Sequence, residues 1–206
     1  KKDAPASKLP ACCAIKDTAN DSLVINPKNK GIQHVFVYLK KISKGDIHPE
    51  LEKSKEPEVV FDQKECVFKP HAMVVRTDQQ VVVKSDDNVP HNTHTYPVFN
   101  QGENFIVAPN DRVGVKMPKF NLKEPLPMQV KCDIHAWMKA YWLVIDHPYA
   151  TVTDADGRFT IPKLPAGDYE FVVWHERTGY LDKAMKATIK DGAKADLGDI
   201  KAPADK

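Results

Sequence analysis

The stretch that most restricts what this chain can fold into is Cys132-Asp133-Ile134-His135-Ala136-Trp137-Met138. A thiol, an imidazole and a thioether fall in the pattern C-x2-H-x2-M, and the apolar run Ala140-Tyr141-Trp142-Leu143-Val144-Ile145 follows almost at once. Forty-one positions before Cys132 stands Pro90-His91-Asn92. A lone C-x2-H is a weak signal, and a lone methionine is ordinary core filling. The combination is specific. Three donors on one short loop between strands are fixed to a rigid frame. A fourth from an earlier strand end makes the cluster depend on a folded core.

Periodicity says what that core is made of. β-Branched and aromatic runs, separated at short intervals by turn residues, predict strands at 22–25, 34–39, 59–61, 66–68, 72–76, 81–85, 98–99, 105–107, 113–115, 128–130 and 141–145. Further strands are expected at 149–152, 159–161, 169–174 and 184–190, the third of these with clean period-two alternation. Asn26 to Gly31, Thr77 to Gln80, Asp86-Asp87-Asn88, Thr153 to Arg158 and Leu164 to Gly167 read as turns. Residues 1–20 read as a draped arm, 41–58 as a solvated loop or short helix, and the tail from 193 as polar. No long stretch has a 3.6-residue apolar period, so the chain is read as all-β. Its 206 residues allow one large β domain or two small ones.

The donor types define the chemistry. Thiolate and thioether favour cuprous ion, while imidazole serves both oxidation states. A thiolate, two imidazoles and a long axial thioether form the donor set that blue-copper electron-transfer sites use. The sequence therefore predicts one mononuclear copper held by His91, Cys132, His135 and Met138. Buried thiol and core methionine are the plain alternatives for Cys132 and Met138. Three cysteines remain: Cys12, Cys13 and Cys66. A disulfide from Cys66 to either Cys12 or Cys13 would imply an oxidising compartment; three buried thiols are the alternative. His71 could approach the copper or pair with Cys66, against the simpler reading of a surface histidine. Asp154-Ala155-Asp156-Gly157 lacks the later acidic ligands of a calcium loop and reads as a hairpin turn. His147 and His175-Glu176 are read as satisfied polar groups at strand ends.

Residues 59–146 resemble the cupredoxins, with the ligand-loop spacing of amicyanin. The resemblance rests on Phe68-Lys69-Pro70, the Val-rich strands, Pro90-His91-Asn92 and C-x2-H-x2-M. It is specific at the ligands and generic elsewhere. Thr77-Asp78-Gln79 stands where the family often has a glycine, and Ile134 stands where small plastocyanin-like members often have proline. The resemblance implies a Greek-key sandwich, favours His91 over His94, and places His135 under an apolar electron port to which Pro90, Ala136 and Trp137 would contribute. Asn92 could hydrogen-bond around the thiolate and hold the ligand loops together, against the simpler reading of a turn asparagine. Residues 152–161 and 164–169 resemble a carboxypeptidase regulatory-like domain, a small transthyretin-like sandwich, with 34–39 as its early strand. The resulting domain plan is 1–58, an N-terminal arm and the first strands, and 148–206 for that sandwich, with an inserted cupredoxin at 59–147; two domains in series are the alternative. The name describes kinship and implies no peptidase activity.

A net charge of +2 gives no strong field for nucleic acid or acidic membranes. No apolar stretch reaches 18 residues, so no transmembrane segment is expected. Lys1 to Pro10 is polar and shows no signal peptide. No Ser/His/Asp arrangement, H-E-x-x-H or phosphate loop is present, so no catalytic residues are assigned. The expected function is single-electron transfer in the periplasm or outside the cell. Its partner would be a redox protein, a cytochrome or a dehydrogenase, docking near His135. A copper enzyme with an open coordination position, and a copper-binding structural or adhesive module, are the competing expectations.

Overall fold

The computed structural model describes residues 21–202. Their strands are β1 (Phe36–Leu39), β2 (Glu58–Lys64), β3 (Val67–Lys69), β4 (Ala72–Arg76), β5 (Gln80–Ser85), β6 (His91–Tyr96), β7 (Asn104–Val107), β8 (Val115–Lys116), β9 (Met128–Lys131), β10 (Lys139–Ile145), β11 (Ala150–Val152), β12 (Gly167–His175) and β13 (Gly179–Ile189). The helical pieces among the described residues are two 3-10 turns, Lys44–Asp46 and Pro49–Leu51. The protein is all-β. It divides into two compact units, one built on Ser54–Asp146, the other on Ser22–Lys53 with the chain from His147 onward.

In the first unit two sheets run β4-β10-β9-β6-β7 and β3-β2-β5-β8. β2 with β5 and β4 with β10 are parallel pairs, and the other pairs are antiparallel. The apolar runs supply the core: Phe61 stacks on Phe68 at 4.8 Å and meets the edge of Trp142 at 4.7 Å, which joins the two sheets. Val75, Val83, Val130 and Val144 fill the same cluster. Each such side chain, fully buried, contributes roughly 1.5–3 kcal/mol. Residues 54–58 are tied into this unit, since Ser54 donates to the Asp78 carboxylate and Gln80 N donates to Pro57 O.

β6 departs from the sequence reading. Its residues, His-Asn-Thr-His-Thr-Tyr, show no apolar alternation, yet Thr93 and Thr95 are buried. Their hydroxyls are satisfied inside, Thr93 by Gln63 Nε2 at 2.9 Å and Thr95 by Glu103 N at 2.9 Å. Buried polar groups with partners do not prevent a strand from lying in a core. The strand expected at 98–99 is absent: Val98 and Phe99 are exposed, and their N–H groups, with that of Asn100, donate to the buried Glu124 carboxylate.

The second unit is a single antiparallel sheet, β11-β1-β12-β13. β1 is central and buried along its length; Val37, Leu39, Tyr149, Phe171 and Val173 form the core beneath it. The expected strand at 22–25 is reduced to one bridge, Ile25 with Ile32. Residues 159–161 form no strand, although Phe159 and Ile161 pack on the core. β13 starts at Gly179, five positions before the expected 184. The 26–31 turn grips the 154–158 turn: Asn26 Nδ2 donates to Ala155 O and to Asp156 Oδ1, and Asn29 Nδ2 to Asp156 O. The approach is so close that a Cβ on Gly31 would lie 1.9 Å from Asp156 O, which explains the glycine.

Candidate metal centre

β9 and β10 form a hairpin that ends at the pair Lys131 and Lys139, so residues 132–138 are its connecting loop. The loop is closed by its own backbone. Cys132 N donates to Met138 O at 3.1 Å, and Met138 N to His135 O at 2.9 Å. β6 pairs with β9 in the register His94 to Lys131. Continuing that antiparallel register carries His91 to the level of Ile134, beside the loop. The β-pairing thus joins two sequence stretches that lie 41 positions apart.

His91 Nδ1 faces His135 Nδ1 at 2.9 Å, and Cys132 Sγ lies 3.8 Å from that same His135 nitrogen. His135 N also donates to Cys132 Sγ at 3.4 Å, a bond that favours the thiolate. The donor atoms of His91, Cys132 and His135 all lie within 4.8 Å of one another, and all three residues are buried. Met138 is 1% exposed and sits in the same core cluster as Cys132. Two facing ring nitrogens beside a buried sulfur fit a soft or borderline cation of the copper type. His91 has no exposed surface, while His135 keeps 6% and offers the centre's edge to solvent. Pro90, Ile134 and Ala136, which flank the two imidazoles in sequence, are exposed; Trp137 is half-buried with its ring 5.1 Å from that of His135.

Burial holds both imidazoles below the ordinary histidine range. For His91 the hydrogen bond and charge of Asp87 oppose the shift without cancelling it; for His135 a charge on His91 adds to it. Neutral imidazole is the form that binds metal. Asp87 was legible in the sequence only as a turn residue. Its carboxylate is buried, and its Oδ2 lies 2.9 Å from His91 Nε2. Asn92 ties the two ligand segments together: its Oδ1 accepts from Asp133 N at 2.6 Å, and its Nδ2 donates to Asn104 Oδ1 and Asp133 Oδ2, each at 2.8 Å. His94 turns away to Asp133, Tyr96 and Asn104 on the surface. Burial pushes the Asp133 carboxyl up, but hydrogen bonds from Asn92, His94 and Asn104 outweigh it and leave its pKa lowered.

Cys66 is disulfide-bonded. Its suggested partners, Cys12 and Cys13, lie outside the described residues. Cys66, Asp87 and His91 also approach within 4.8 Å, but a disulfide sulfur has no thiolate to offer, so that trio lacks its soft donor. His71 joins neither cluster; its ring lies 6.4 Å from Tyr141. His147 bonds Leu39 O and accepts from Tyr149 N, a structural role in the second unit. Among the described residues, no helix is long and apolar enough to cross a membrane.

No protein-family model and no curated protein matches the chain. Similar solved structures include a purple cupredoxin from Nitrosopumilus maritimus, 16% identical, covering 44% of this chain and 100% of its own, with a TM-score of 0.34. An amicyanin variant in its reduced state is 10% identical, covering 53% and 98%, with a TM-score of 0.35. A Cu-containing nitrite reductase from Thermus scotoductus SA-01 is 17% identical over 43% of this chain, with a TM-score of 0.35. The chain spans 22% of that enzyme's length.

Proposed function

We propose that the chain is a copper protein of the electron-transfer type. The Cys132 thiolate and the Nδ1 atoms of His91 and His135 would hold one copper ion, with the Met138 thioether as axial donor. The observation that supports this most directly is the convergence of three buried soft and borderline donors within 4.8 Å. Copper supplies a one-electron couple when bound there. The residues do the rest. Burial keeps the imidazoles neutral, the closed loop keeps three donors in place, and Asn92 fixes the loop to β6. The electron would pass through the His135 edge to a redox protein, a cytochrome or dehydrogenase, that docks on the exposed Pro90, Ile134 and Ala136. A net charge of +2 suits docking by apolar contact more than by charge steering. The Cys66 disulfide fits a periplasmic or extracellular setting. The second unit would be the regulatory-like sandwich into which this unit is inserted.

Copper loading followed by visible and electron-spin-resonance spectra tests the proposal. The expected result is an intense thiolate charge-transfer band with narrow hyperfine splitting. Cys132→Ala abolishes the colour, and Met138→Leu keeps it but changes the potential. Full colour in Cys132→Ala refutes the ligand assignment. A weak, red-shifted band with an exchangeable water would favour an enzyme instead. No copper signal at all would favour a structural module.

A further inference from the structure

The Cys66 peptide touches the surroundings of both candidate imidazole ligands. Its N–H donates to Asp87 Oδ2 at 2.9 Å, and Glu65 N–H donates to Asp87 Oδ1 at 2.7 Å. Asp87 Oδ2 is the same atom that meets His91 Nε2. On its other side the Cys66 carbonyl accepts from Trp137 Nε1 at 3.0 Å, and the Trp137 ring lies against His135. Glu65 and Cys66 both hold positive φ, 59° and 53°, which turns their two N–H groups onto one carboxylate. That conformation is unfavourable for residues with a side chain, so something must hold it. The two bonds to Asp87 supply a restraint, and Cys66 is also disulfide-bonded.

We propose that the disulfide-bonded Glu65–Cys66 turn is the positioning element for both imidazoles of the centre, acting through Asp87 on His91 and through Trp137 on His135. A carboxylate accepting from Nε2–H fixes His91 in the tautomer whose Nδ1 carries the lone pair. That is the nitrogen that faces His135 Nδ1. Losing the cross-link would let the turn relax, release Asp87, and leave His91 free to exchange tautomers. The role of the turn as a ligand-positioning device rests on the copper reading, but its effect on the tautomer does not.

The test uses the full chain. Imidazole nitrogen NMR of the metal-free protein reads the His91 tautomer, and copper titration with spin resonance reads the loaded centre. Wild type is expected to show a single Nε2–H form at His91. Cys66→Ser, which keeps the peptide and removes the disulfide, is expected to give mixed tautomers and copper binding weaker by about 10–100-fold. Trp137→Phe is expected to alter the copper hyperfine pattern while leaving the His91 tautomer alone. A tautomer shift in Cys66→Ser supports the positioning role even if no copper binds, in which case the copper reading alone fails. A folded Cys66→Ser with wild-type tautomer and wild-type copper signature overturns the proposal and leaves the copper reading standing. Should Cys66→Ser not fold, Asp87→Ala, which removes the acceptor, decides: an unchanged tautomer there overturns the proposal, and a mixed one supports it.

Discussion

Replacing Asn92 with alanine cuts the strut between β6 and the ligand loop, and the cost can be worked from its contacts. The side chain accepts from Asp133 N at 2.6 Å and donates to Asn104 Oδ1 and Asp133 Oδ2 at 2.8 Å each. Asn92 is 3% exposed, whereas Asp133 and Asn104 are open to water. Water can therefore replace much of what those two outer groups lose. It reaches the part-buried Asp133 N–H less well, and leaving a donor out of water's reach unpaired costs about 1–3 kcal/mol. Adding a remnant of the charge-assisted bond brings the expected loss to about 2–3 kcal/mol. Urea unfolding of the metal-free protein measures it. With a typical slope of about 1–3 kcal/mol per molar, the midpoint should fall by roughly 0.7–3 M with the slope unchanged. Asn104→Ala, which removes exposed contacts to Asn92, His94 and Asp133 that water can replace, should cost less than about 1 kcal/mol. If Asn92→Ala loses under about 0.5 kcal/mol, or no more than Asn104→Ala, then Asn92 does not brace the loop and the clamp reasoning is wrong.

Three further outcomes are expected. The metal-free protein should lose stability as pH falls below about 6.5, the ordinary histidine value, because His91 and His135 are held lower in the fold and the unfolded chain takes up protons first; His91→Gln should flatten this limb of a melting-temperature profile against pH. Glu124→Gln replaces one acceptor oxygen with an amide that faces the N–H groups of 98–100, so it should cost about 1–3 kcal/mol and speed hydrogen exchange at those amides. Gly31→Ala drives a methyl into Asp156 O and should destabilise the second unit by about 1–3 kcal/mol, seen as faster amide exchange in β1 and β11–β13 with Ser54–Asp146 unchanged.

What could be read in the sequence followed side-chain chemistry with short-range periodicity. β10 and β12 announce themselves as long apolar or alternating runs, and the loop residues Cys132, His135 and Met138 announce themselves by spacing. The strand β6 did not, because its inward positions are threonines whose hydroxyls find Gln63 and Glu103, partners that only the folded sheet supplies. Val98 and Phe99 misled in the opposite direction: apolar and β-prone, they lie exposed because the neighbouring backbone is committed to Glu124. Asp87 looked like a strand-breaking acid. Its placement against His91 depends on the positive-φ turn at Glu65 and Cys66, 22 and 21 positions away, which no local pattern encodes.

The central strand of the second unit carries a consequence for biosynthesis. β1 is flanked by β11 and β12, and both flanking strands lie beyond residue 149. Ala150 follows Leu39 by 111 positions (150 − 39), a delay of roughly 6–22 s at about 5–20 residues per second of translation. For that time Phe-Val-Tyr-Leu lacks both of the strands that cover its edges in the fold. A factor that shields nascent hydrophobic segments should therefore bind this chain soon after residue 39 emerges and let go once the 150–175 stretch has been made.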